Sequence, residues 1–208
     1  MKIVTSFFKE VNIIEWCFLA LRTWILPLEK YNEQIPESGL IVEVGCGHGI
    51  VVQYLARRST DRIIVGYDTD PRRLKIAKKS AKLCTNIKFR QNLFIEGSQK
   101  SASAVTVIGV FCLLDDDNTI QILKAAKSCL SNNGVLHIND IPKKKTIIHK
   151  LHIMRESMLG LVGFTQGQGV FLRTDDEWRQ ILNIAGFNQV EEFKASVFMH
   201  STFDWICK

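Results

Sequence analysis

Residues 41 to 50 read IVEVGCGHGI, an apolar run that closes on a carboxylate and then turns on three alternating glycines, Gly45, Gly47 and Gly49. A strand, a tight glycine turn and a following helix aim backbone N–H groups and a helix N-terminus at one point, which is how a chain cradles a nucleotide. Glu43, two residues before the first glycine, adds a negative charge there that repels a pyrophosphate and suits a cationic amino group. The dinucleotide pattern G-x-G-x-x-G wants its third glycine where this chain has Ile50, and Gly49 comes one residue early. Two further acids stand in VGYDTDP: Pro71 suits a first helical turn, which leaves Asp70 as the N-cap and Asp68 at the end of the preceding strand.

Those residues need a sheet behind them. LIVEV (40–44), RIIVGY (62–67), IKFRQ (87–91), AVTVIGV (104–110) and GVLHIN (134–139) have the length and apolar content of strands. Helical patterns fall between them, from Ile50 to Arg58, from Pro71 to about Leu83 and from about Asn118 to Leu130, with SNNG (131–134) as a helix-ending turn. Such alternation implies a parallel sheet with helices on both faces. The end of the chain changes character. TDDEWRQILNIAGF (174–187) is a helix with Thr174 as N-cap, Glu177 at the capping-box position and Gly186 as its stop. NQVEEFKA and SVFMHSTFDWIC then follow as two strands with no helix between them, expected to pair antiparallel. At the other end, residues 6 to 26 read as a helix with Ile14, Phe18, Leu21 and Ile25 on a wide apolar face and Asn12, Glu15 and Arg22 on a narrow polar edge. Pro27 and Pro36 break the chain after it.

The motif E-x-G-x-G-x-G after the first strand resembles motif I of the class I S-adenosylmethionine-dependent methyltransferases. The likeness runs in order over roughly residues 38 to 195: Asp68 after the second strand, FRQNLF after the third, VIGVFCLLDDD after the fourth, then CLSNNGVLHIND and EWRQILNIAGF. The resemblance implies an α/β fold with a Rossmann-like, seven-stranded, mostly parallel sheet, helices on both faces and a C-terminal antiparallel β-hairpin. It implies one domain over 1–208, with 1–37 as a helical lid, 38–208 as the cofactor-binding core and 141–173 as a substrate-cap insertion. It implies S-adenosyl-L-methionine as cofactor and S-adenosyl-L-homocysteine as product. The methionine would lie on Glu43, Gly45, Cys46, Gly47 and Gly49, above Ile108 and Gly109, and the ribose on Asp68 and Thr69. The adenine would meet Asn92 and Leu93; the family commonly has Asp at position 92, but the Asn amide oxygen can accept the same bond from the adenine amino group. Cys46 and His48 would lend the loop their backbone rather than their side chains.

Methyl transfer is an in-line displacement at a carbon held by a positively charged sulfur, so alignment and exclusion of water supply much of the rate. A base is needed chiefly when the nucleophile must lose a proton of high pKa. Gly109, Phe111 and Cys112 stand where many small-molecule members carry a polar residue, and no N-P-P-Y-like motif is present to suggest an adenine or glutamine N-methyltransferase. The remaining candidates for a catalytic group are Asp140, at a strand end, and His149 and His152, which share a helix face in the insertion. GFTQGQGVFLRT (163–174) reads as a mobile loop over the pocket. The expected acceptor is a small, apolar or carrier-bound organic molecule. A non-catalytic adenosylmethionine-binding protein is the alternative, and a nicotinamide oxidoreductase is opposed by Ile50 and Glu43.

Composition narrows the classes further. The six cysteines are scattered with no C-x-x-C pair, which suggests reduced thiols in the cytoplasm and neither a disulfide framework nor a metal site. The start MKIVTSFFKE lacks a secretory pattern, and the apolar stretch Val11 to Leu28 is interrupted by Glu15, Arg22 and Pro27, against a membrane-spanning helix. The net charge of +6 gathers in RRLKIAKK (72–79) and KKK (143–145), read as solvated faces or a site for an anionic substrate or membrane surface. Without interleaved aromatics, neither run suggests nucleic acid.

Overall fold

A computed structural model of the chain describes residues 11–95, 101–141, 143, 169–188, 190–197 and 200–207. Five strands, β1 (Gly39–Val44), β2 (Arg62–Asp68), β3 (Ile87–Gln91), β4 (Ala102–Ile108) and β5 (Leu130–Asp140), run parallel in the order β3-β2-β1-β4-β5. The central strands read as continuous apolar runs because both their faces are covered. On β1, Ile41 packs with Leu19, Tyr31, Ile50 and Leu55, while its neighbours Val42 and Val44 pack on the opposite face with Phe111, Leu123 and Trp178. The first face carries α1 (Ile13–Ile25), α2 (Leu28–Gln34), α3 (Ile50–Arg58) and α4 (Pro71–Ser80); the second carries α5 (Asp116–Cys129) and α6 (Asp175–Ile184). Between β1 and β4 the strand order reverses, and a crevice opens there at the carboxyl ends of the strands.

The all-parallel part of the Rossmann-like sheet is five-stranded, and two antiparallel strands extend it beyond β5 to seven. A parallel strand requires a crossover, and no further parallel strand follows α6. The last two segments, β6 (Val190–Val197) and β7 (His200–Cys207), are antiparallel in register to each other, and β7 runs along β5 from Leu136↔Cys207 to Asp140↔Phe203. They lie beyond β5, away from the β1/β4 crevice and outside the parallel unit that builds the site. Ser196 and Val197, expected to open the second of these segments, close the first.

Local chemistry explains most boundaries. Asp70 accepts from the Arg72 N–H and caps α4, with Pro71 in the first turn. The capping box of α6 is complete, Thr174 and Glu177 each satisfying the other's backbone N–H. Two expectations need correction. SNNG does not stand outside the strand: Ala102 pairs with Leu130 and Ala104 with Val135, so residues 131–134 bulge within β5. The helix expected over 6–26 begins, within the described residues, at Ile13, with Asn12 as its N-cap.

The apolar face of α1 is also rotated from expectation. Leu19 is buried, whereas Ile14 and Leu21 are 70% and 55% exposed. The cause is that the polar edge is directed inward: Glu15 meets His48, and Arg22 reaches the crevice between β1 and β4. Among the described residues no helix is long and apolar enough to cross a membrane.

Candidate active site

The glycine loop is built by backbone geometry and by one acid. Gly45 has φ +70°, and a Cβ on it would lie 2.4 Å from Val110 Cγ2, so conformation and space both demand glycine. Gly47, at φ +53°, opens the other way: a Cβ there would come no nearer than 4.0 Å to any neighbour, so the backbone faces open space that a ligand can approach. The Gly47 N–H donates to Asp68 Oδ2 at 2.7 Å, and the Asp70 N–H donates to Asp68 Oδ1 at 2.8 Å. Asp68 therefore ties the loop after β1 to the end of β2 before any ligand is considered. Asp70 is held by its own helix and by Arg72 and Arg73, at 3.1 and 3.5 Å.

Glu43 stands at the end of β1, 4% exposed, with its Oε2 lacking a hydrogen-bond partner. Burial pushes its pKa up to about 8, against the opposing pull of the Arg22 guanidinium and of a hydrogen bond from the Val52 N–H. Arg22 comes from α1, and its Nη2 lies 3.6 Å from where a Cβ on Gly109 would sit. His48, also buried, places Nε2 3.3 Å from Glu15 Oε1. Burial, followed by the fields of Arg73 and Arg22, lowers the His48 pKa to about 4, so the ring is neutral at physiological pH. Burial moves the Glu15 carboxyl the opposite way, upward.

One cavity at the strand ends gathers most of the residues singled out from the sequence. Glu43, Gly45, Cys46 and Gly47 line it from β1 and its loop, and Asp68 and Thr69 from the end of β2. Asn92 and Leu93 line it after β3, and Ile108 and Gly109 after β4. Gly49 does not line it; it is the N-cap of α3, at φ +76°. Asp140 is not a lining residue either. It is buried behind the β4 end, where a Cys112 hydrogen bond and Arg173 partly offset the burial that raises its pKa to about 6. His149 and His152, with most of the expected cap and loop, lie outside the described residues. Within the described residues no group of three or more His, Cys, Asp or Glu side chains could hold a metal ion.

The cavity also holds side chains that sequence reasoning missed. Arg22 enters from α1 and Leu26 from its C-cap, Asn118 and Gln121 from α5, and Arg73 from α4, beside Phe18 of the expected helical lid. For α1 a signal was present: Glu15, Phe18, Arg22 and Leu26 recur at three- and four-residue steps, the spacing of one helix face. The segment after β4 is fixed by Arg173, 4% exposed, which donates to the carbonyls of Phe111 and Leu114, to Thr119 Oγ1 and to Asp116. This network holds Leu113 and Leu114 in the cavity wall.

A glycine loop at a sheet's switch point, with an acid on each of two neighbouring strand ends, makes a crevice of the nucleotide-binding kind on a Rossmann-like sheet. Residues 42–136 match a family described as a methyltransferase domain. This match covers just under half of the chain and points to S-adenosylmethionine as the cofactor of a methyltransferase domain. It is 28% identical over 144 residues to a ribosomal protein L11 methyltransferase of Oceanobacillus iheyensis, covering 64% of this chain and 45% of that one. Among solved structures, the pyocyanin biosynthetic protein PhzM has a similar fold, with a TM-score of 0.75 at 13% identity over 98% of this chain and 61% of that one. The magnesium protoporphyrin IX methyltransferase of Synechocystis PCC 6803, solved with bound S-adenosylhomocysteine, has a TM-score of 0.68 at 15% identity over 95% of this chain and 87% of that one. The chain thus spans less than half the length of the curated relative it matches.

The residues present fit this cofactor. The partnerless Oε2 of Glu43 offers an acceptor to an ammonium group, the open side of Gly47 leaves room for a ligand against the backbone, and Asp68 lies beside it.

Proposed function

We propose that the chain transfers a methyl group from S-adenosylmethionine to a small, largely apolar organic acceptor. The observation that carries this reading is the composition of the cavity wall facing the loop: Phe18, Leu26, Val110, Leu113, Leu114 and Ile122 are all apolar, with Asn118 and Gln121 as polar points of orientation. The bound cofactor supplies a methyl carbon on a positively charged sulfur.

In this reading the chain's own residues bind, align and exclude water. Glu43 takes the amino group of the methionine moiety, and Arg22 takes its carboxylate, so the pair matches a zwitterion. Asp68 accepts from the ribose hydroxyls with the lone pairs that Gly47 and Asp70 leave open, and Thr69 adjoins it. Asn92 accepts from the adenine amino group beside Leu93. In the same reading the α1 helix acts as a lid, with Phe18 and Arg22 lining the cavity. His48 serves the loop as a neutral partner of Glu15, and we assign it no role as base. Asp140 acts behind the wall rather than on the acceptor. Alignment against an apolar wall is then the main source of rate, and the acceptor is one whose nucleophile ionises readily or needs no proton removed.

A second reading is methylation of a protein, which the likeness to the ribosomal protein L11 methyltransferase favours. Incubation with methyl-labelled S-adenosylmethionine and an extract of the native cell separates the two. Label in the low-mass fraction extractable by organic solvent is the expected result. Label in the protein fraction alone supports the second reading, and label in neither contradicts both.

A further inference from the structure

We infer that cofactor binding is coupled to proton release at Glu43: the empty site holds a neutral carboxylic acid, and the incoming cationic amino group replaces its proton. The inference rests on the assignment of Glu43 to the amino group of the methionine moiety, and it adds what that contact must do.

The geometry is that of a carboxyl removed from water with half its hydrogen-bonding capacity unused. Glu43 is 4% exposed at the end of a central strand, lines the cofactor cavity, and leaves Oε2 without a partner. The charged and titratable groups described around it are Arg22 from α1, Cys46 from the loop and Asp68 from β2. Arg22 favours the carboxylate, Asp68 opposes it, and the Val52 N–H in the first turn of α3 favours it. Burial outweighs this mixed field, and the acid holds its proton up to about pH 8. A ligand ammonium placed against the unpartnered oxygen reverses the balance, because a carboxylate beside a cation in a low-dielectric site is far more stable than a carboxylic acid there. The O–H bond of Glu43 breaks, the proton leaves to solvent, and an ammonium–carboxylate pair remains; no electrons change hands. The site thereby discriminates by charge: a nucleoside thioether without the amino acid end can fill the adenine and ribose positions but cannot displace the proton.

Titration calorimetry of S-adenosylhomocysteine at pH 6.5, in buffers of different ionisation enthalpy, tests this. Binding heats that depend on buffer and correspond to release of about one proton are expected, with apparent affinity rising up to about tenfold per pH unit below pH 8 and levelling above it. Methylthioadenosine, which lacks the amino acid end, is expected to bind with buffer-independent heats. Glu43→Gln should bind S-adenosylhomocysteine more weakly and without proton release, while its unchanged affinity for methylthioadenosine reports an intact fold. Buffer-independent heats in the natural protein, or equal release from Glu43→Gln, would overturn the proton coupling and leave the cofactor assignment standing. No binding of S-adenosylhomocysteine at all would instead remove the cofactor assignment.

Discussion

The glycine loop and α1 meet at His48 and Glu15, 3.3 Å apart, yet they enter the site under different rules. The loop is positioned by backbone: left-handed glycines, strand register and an acid that accepts main-chain N–H groups. Such a wall is rigid because each of its parts is also a part of the sheet. The helix is positioned by a side-chain face alone. Of its thirteen residues Leu19 is the one buried, and the face it turns inward carries Glu15, Phe18 and Arg22. The two walls should therefore respond to substitution differently, one by loss of shape and the other by loss of a contact.

Gly45→Val should produce the largest effect, since the added side chain meets both a positive φ and Val110. We expect no measurable binding of S-adenosylhomocysteine by calorimetry and a lower thermal midpoint, whereas near-normal binding would mean that the loop wall is not rigid. Arg22→Gln, on the helix wall, should weaken S-adenosylhomocysteine about tenfold, or about 1.4 kcal/mol, and leave methylthioadenosine within about twofold. Equal losses for both ligands would show that α1 contributes shape rather than a contact.

Two smaller effects divide the helix itself. Leu19→Ala should cost about 2–3 kcal/mol in denaturant unfolding, because it removes the buried anchor of α1. Leu21→Gln, one turn face away, should stay within about 0.5 kcal/mol. Reversal of that order would restore the orientation expected from apolar spacing. The smallest effect is expected for His48, whose ring should titrate near pH 4 by NMR, well below an ordinary histidine, so that it contributes no inflection to binding or activity between pH 6 and 8. A midpoint near 6.5 would mean that the ring is solvated and α1 is not seated on the loop.

The same contrast governs how much could be read before the structure. The parallel strands, the loop and the caps at Asp70 and Thr174 are local signals, each written within a few residues, and they lie where the sequence placed them. Apolar periodicity misjudged α1 because a cavity, unlike a core, is lined partly by charge, so the polar edge faced inward. The antiparallel pairing of the last two strands was legible because no helix separates them, and a parallel return needs a crossover. Asp140 looked accessible as a strand-end acid, but it is 3% exposed, and its partners Cys112 and Arg173 lie 28 and 33 residues away in sequence.

The central claim is that Asp68 and the loop it braces hold an adenosylmethionine-type ligand. Calorimetric titration of S-adenosylhomocysteine into the natural protein and into Asp68→Ala tests it most directly. Saturable one-to-one binding to the natural protein is expected, with a loss of about 100-fold or more, roughly 2.7 kcal/mol, in the variant and both proteins folded. Equal affinity of the two proteins, or binding of NADH in place of S-adenosylhomocysteine, would contradict it.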